Sequence, residues 1–206
     1  MTANINIKNA AALAQLVLKL GQVQRITEDA DGRTESDTTH SLMLALLAAE
    51  VAQQEQGEPL DLAAVLGMSI IHDLAEAYAG GTPTLQALTP QERRDKARRE
   101  TAALDRVYTD LSGFPWITSM IQRYEVQQCR ESRLVHLLDK ATPKLTHLLN
   151  GCSVPHRRGM SREEFVAQHD AQLDRLSPGN IDLPVTLEFI TNACIESEQA
   201  WPQEIA

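Results

Sequence analysis

Val65-Leu66-Gly67-Met68-Ser69-Ile70-Ile71 is apolar nearly all round, and it runs straight into His72-Asp73. A helix of that composition belongs in the middle of a fold rather than on its surface. The imidazole and carboxylate at its end are costly to bury unless they are paired or hold a metal. Glu76 follows one helical turn after His72, on the same face. The pattern demands further helices around this one and partners for its polar end.

The rest of the chain supplies helices. Aromatics are only 4% of the 206 residues, and Ala and Leu dominate, a mix that favours helix over sheet. Helices are expected over 8–24, 38–54, 60–78, 89–111, 115–127, 131–149, 161–176 and 184–200. Thr89-Pro90-Gln91-Glu92 and Ser161-Arg162-Glu163-Glu164 are capping boxes that fix two of these starts. Pro143 is expected to kink the sixth helix. The segment 27–37 reads as a polar loop, Ala79-Gly80-Gly81-Thr82-Pro83 as an abrupt stop, and no stretch reads as a strand. The expectation is one all-α domain over 1–206, with a motif-bearing core at about 24–150 and motif-free helices over 161–200.

Charge and cysteine usage exclude several classes. A net charge of −9 repels long polyanions, so a nucleic-acid polymer is not the expected partner. A small phosphate ester remains open, because a metal and a few arginines reverse the sign within one pocket. The basic stretch over 93–99 reads as a solvated helix face. Cys129, Cys152 and Cys194 are scattered and odd in number, which argues against a disulfide framework or a thiolate zinc site. Residues 1–10 lack the features of a signal peptide, and 11–20 is too short for a membrane span. No membrane partner is expected, and a cytoplasmic location follows by elimination.

Polar residues that interrupt apolar helices are the candidates for chemistry. His40 precedes Ser41-Leu42-Met43-Leu44, His72 and Asp73 close the central helix, and Asp139 lies in Leu137-Leu138-Asp139-Lys140. Taken singly, each has a plain reading: a cap, or an ion pair such as Asp139 with Lys140. Taken together, two histidines and two aspartates form a nitrogen and oxygen site for one divalent ion: Mn²⁺, Co²⁺, Fe²⁺, Ni²⁺, Zn²⁺ or Mg²⁺. Glu76 is then the spare carboxylate that moves a proton. His136 and His147 read as surface groups or supports for the site, and His156 and His169 fall in loop-like or polar settings.

Arg25, Arg33-Thr34-Glu35-Ser36-Asp37-Thr38-Thr39-His40-Ser41, His72-Asp73-Leu74-Ala75-Glu76, Gly80-Gly81-Thr82-Pro83-Thr84 and Asp139-Lys140 resemble the motifs of HD-domain metal-dependent phosphohydrolases. More narrowly they are similar to the bacterial 5′-deoxynucleotidase group. The resemblance implies a helical bundle around one divalent ion held by His40, His72, Asp73 and Asp139, with Glu76 as catalytic carboxylate. It implies that Arg25 grips the substrate phosphate, for which a planar guanidinium is suited. Ile26 takes a place where relatives often have tryptophan near the nucleotide. Arg33 is expected to anchor its loop against a carboxylate rather than touch phosphate. Gly81 departs from the pattern, since relatives usually carry Asp there; Asp37 or another acid is a candidate substitute. Thr82 and Lys140 complete the expected substrate contacts.

The function so implied is a 5′-nucleotidase that releases phosphate from 2′-deoxynucleoside 5′-monophosphates. A deoxynucleoside triphosphate triphosphohydrolase is the alternative, with Lys140 and Lys144 as the extra cations it needs. A binding module without catalysis is the alternative of another class, favoured by Gly81. Family analogy and surplus Ala/Leu helix surface suggest a homodimer.

Overall fold

The computed structural model describes residues 6–81 and 89–202. Helix α1 (Ile7–Leu20) starts at Asn6, whose side chain accepts from Lys8 N at 2.9 Å. It stops four residues before its expected end because the chain turns into a hairpin. Strands β1 (Gln24–Glu28) and β2 (Thr34–Ser36) pair antiparallel, Gln24 with Ser36 and Glu28 with Thr34, with an irregularity between. This corrects the reading of a strandless polar loop. Asp29 Oδ1 accepts from Asp31 N and Arg33 N at 2.9 Å, and Gly32 takes φ +80°, the left-handed geometry the tip requires.

Helix α2 (Asp37–Gln54) follows at once, capped by Ser36 Oγ on Thr39 N. The expected long third helix is divided. Helix α3 (Leu62–Ile71) gives way to a turn over 72–75, and α4 is the short segment Glu76–Ala79. The window Leu62–Ala79 is long and apolar enough to cross a membrane by length and composition. Here it is broken at His72, and α3 packs against α2, α6 and α7.

Helix α5 (Pro90–Asp110) begins with the expected capping box of Thr89 and Glu92. Then come α6 (Pro115–Val126), α7 (Arg130–Leu149), the short α8 (Ser153–Arg157), α9 (Arg162–Leu176, with the Ser161/Glu164 box) and α10 (Pro184–Gln199). Leu44 and Ala48 of α2, Val65 and Met68 of α3, Leu134 and Leu138 of α7 and Ile190 of α10 are fully sealed in one core. Gly67 lets α6 approach, since a Cβ there would lie 3.1 Å from the Trp116 ring.

Pro143 lies inside α7 and has no N–H to give to the carbonyl of Asp139. The Thr142 hydroxyl donates to that carbonyl instead, at 2.9 Å. The helix thus continues through the proline.

A smaller cluster of Cys152, Phe165 and Trp201 lies where α8 and α9 meet the end of the chain. His147, read as a surface group or a support for the site, and His169, read as loop-like or polar, are both buried there; their rings meet Phe165 at 5.7 and 4.3 Å. His156 belongs to α8 and touches Trp201 at 5.9 Å. Burial, then Lys144, pushes His147 down to about 4. Its folded value lies below the unfolded one of about 6.5, so its contribution is full above 6.5 and is lost as pH falls. The maximum slope is about 1.4 kcal/mol per pH unit. Thermal melts from pH 7 to pH 5 are expected to fall more steeply for the wild type than for His147→Gln; parallel curves would refute this.

Candidate metal centre

The buried stripe of α2 begins with polar residues, Asp37, His40 and Ser41, before it becomes Leu44, Ala45 and Ala48. The stripe of α7 is interrupted in the same way by Asp139 and Thr142. The end of α3 supplies His72 and Asp73. Packing of α2, α3 and α7 brings one ligand atom from each of His40, His72, Asp73 and Asp139 within 4.8 Å of one another.

The hydrogen bonds fix the tautomers. His72 Nδ1 lies 2.9 Å from the Ser69 carbonyl, which can only accept, so Nδ1 carries the proton. Nε2 then presents its lone pair to Asp73 Oδ2 at 3.0 Å and Asp139 Oδ1 at 3.6 Å. It is sealed from solvent without a hydrogen-bond partner. His40 Nδ1 donates to Glu35 Oε1 at 3.1 Å, and His40 Nε2 faces Asp139 Oδ1 at 2.9 Å. Lone pairs against carboxylates are repulsive unless a cation or a proton lies between them.

The electrostatics state the same need. Burial opposes charge on His72, yet Asp73 and Asp139 outweigh it and push the imidazole up to about 10. Burial likewise opposes ionisation of Asp73, and His72 overrides it, holding Asp73 at about 2. Protons and a divalent ion compete for these positions. Two imidazole nitrogens and two carboxylates, with an orphaned buried nitrogen among them, fit a divalent ion.

Glu76 opens α4 beside this group. Burial, then Asp73, Asp37 and Glu100, pushes it up to about 7 against the pull of Lys96, and its Oε2 is sealed and unpartnered. Arg25 reaches the centre from β1; its Nη1 donates to Asp37 Oδ1 at 2.9 Å and Asp73 Oδ2 at 3.0 Å. Lys140 Nζ holds Asp139 Oδ2 at 2.7 Å.

Other expected residues lie elsewhere. Arg33 is at the hairpin tip, 78% exposed, and its carboxylate partner is the equally exposed Asp31 at 3.6 Å, not an internal acid. Ile26 is half-buried on β1, between Arg25 and Thr27. A Cβ on Gly81 would lie 3.3 Å from Val23 Cγ1, against the segment leading into β1. Thr82 lies outside the described residues. Lys144 is buried, donating to the Lys140 carbonyl at 2.9 Å and to Gln172 at 2.5 Å.

Two supports went unrecognised in the sequence. Glu35 orients His40 and is itself held by Thr27 Oγ1 at 2.5 Å and Thr146 Oγ1 at 3.4 Å. Asp37 holds Arg25. Both lie in the motif around His40, but their role depends on the hairpin, which polar residues concealed.

The HD domain family matches residues 17–179, and the chain belongs to that family. With a His/Asp group that could hold a divalent ion, it is by class a metal-dependent hydrolase. Among solved structures it resembles a protein of Magnetospirillum magnetotacticum MS-1 described as a predicted metal-dependent phosphohydrolase. That pair shares 24% identity over 95% of this chain and 100% of the other, with a TM-score of 0.71. The PH0347 protein of Pyrococcus horikoshii OT3 shares 22% identity over 93% and 99%, with a TM-score of 0.57. A conserved hypothetical protein of Pyrococcus furiosus shares 24% over 71% and 82%, with a TM-score of 0.51. No curated protein matches the chain in sequence.

A carboxylate that orients a ligating histidine commonly governs metal affinity about tenfold to a hundredfold. Glu35→Gln is expected to weaken Mn²⁺ binding by that factor, read by competition with a chromophoric chelator. Unchanged affinity would remove Glu35 from the centre.

Proposed function

We propose that the protein is a phosphohydrolase of small phosphomonoesters, acting as a 5′-nucleotidase on 2′-deoxynucleoside 5′-monophosphates. The observation that carries the reading is the convergence of one ligand atom from each of His40, His72, Asp73 and Asp139 within 4.8 Å, with Glu76 following in the next turn. A divalent ion, when bound, would be held by His40, His72, Asp73 and Asp139 and would supply Lewis-acid polarisation of a phosphoryl oxygen and lower the pKa of water there. Glu76, poised near neutrality, takes the proton from that water and returns it to the leaving oxygen. Arg25, fixed by Asp37 and Asp73, sets a guanidinium where phosphoryl charge develops.

The triphosphate reading loses one of its cations, because Lys144 is sealed and already bonded. Assays of dAMP and dATP, with their ribose counterparts, under Mn²⁺, Co²⁺ and Mg²⁺ are expected to give free phosphate from dAMP. Tripolyphosphate from dATP alone would replace this reading. Glu76→Gln is expected to keep its metal and lose about a hundredfold to ten-thousandfold in kcat; wild-type turnover by that variant would overturn the mechanism.

We also infer a homodimer. Leu42 and Leu46 of α2, and Leu62, Leu66 and Ile70 of α3, repeat every fourth residue on helices that pack together, and all are exposed. Sedimentation is expected to give the mass of two chains, and Leu66→Glu with Ile70→Glu the mass of one. A monomeric wild type would discard the dimer.

A further inference from the structure

Tyr124 of α6 is only 8% exposed, and its ring stands edge-on to His72, with centroids 5.8 Å apart at 74°. A buried tyrosine ordinarily finds a partner for its hydroxyl. Among the described residues this hydroxyl has none, yet it is absent from the sealed unpartnered atoms, which do include His72 Nε2 and Glu76 Oε2. The phenol therefore has its body in the core, its ring edge-on to the His72 ligand, and an oxygen that is not sealed from solvent. A phenol of ordinary pKa, about 10, is protonated at neutral pH and acts as a donor. Phosphoryl oxygens of a phosphomonoester dianion only accept, and Arg25 brings its cation from β1, on another element.

Resting on the phosphohydrolase reading above, we propose that Tyr124 is a substrate-contacting residue whose hydroxyl donates a hydrogen bond to a phosphoryl oxygen. The contact strengthens as negative charge gathers on that oxygen, so it serves binding and turnover together.

The test is Tyr124→Phe in the full chain loaded with Mn²⁺. Metal content and melting temperature are expected to match the wild type. Affinity for inorganic phosphate by calorimetry and kcat/KM for dAMP should each fall about tenfold to a hundredfold, as for a hydrogen bond to a charged group. Wild-type phosphate affinity and turnover in the variant would overturn the proposal. So would phosphate binding lost in step with metal, which would make the ring a prop for His72. A wild type that neither binds phosphate nor hydrolyses dAMP fails the functional reading itself, whereas an active wild type with an unaffected variant fails Tyr124 alone.

Discussion

Two imidazole lone pairs held against carboxylates are the interaction around which this molecule is organised. His40 and Asp139 are 99 residues apart in sequence and 2.9 Å apart in the fold. Bringing such groups together without a positive partner is unfavourable, and burial removes the water that would screen them. The hydrocarbon core of α2, α3, α7 and α10 holds the arrangement in place. The packed helices supply the stability, and the polar ends of their buried stripes form the centre.

Local backbone structure serves the same end. Ser69 turns its hydroxyl back to the Val65 carbonyl at 2.8 Å and offers its own carbonyl to His72 Nδ1, which fixes the ring as the helix ends. Pro143 frees the carbonyl of Asp139, and Thr142 satisfies it, so a break in the helical ladder falls on a ligand residue without leaving an orphan. The hairpin carries Thr27 and Glu35 to His40 and Arg25 to Asp73, and it is tied down by Asn150 Nδ2 on the Glu28 carbonyl at 2.7 Å.

The helical architecture was legible because its signals are local. Capping boxes at Thr89 and Ser161 mark starts; on α2 the apolar residues Leu42 and Leu46 point outward, and the buried face is carried by Leu44, Ala45 and Ala48. That these four side chains gather was legible because charged residues in apolar helices need a reason. The hairpin was not, since its inward residues, Arg25, Thr27 and Glu35, are polar for the sake of the centre and invert the pattern by which strands are recognised. The burial of His147 and Lys144 was not legible, because a sequence does not reveal that α9 lies over them with Phe165 and Gln172. Helix α8, five residues around Pro155, is too short to show a period.

Charge balance gives Glu76 its character. Glu35, Asp37, Asp73, Glu76 and Asp139 oppose Arg25 and Lys140, an excess of three negative charges that a dication reduces to one. A phosphomonoester dianion entering that space restores the excess. The least costly relief is a proton on the carboxylate already pushed up to about 7, whereas for Glu35 burial is outweighed by hydrogen bonds from His40 and Thr27 that hold it down. Asp73 and Asp37 share Arg25, and Asp139 has Lys140, whereas Glu76 Oε2 has no partner among the described residues. Substrate arrival thus favours the protonated form of the same group that accepts a proton when water attacks. A group poised between these demands is suited to carry a proton in both directions.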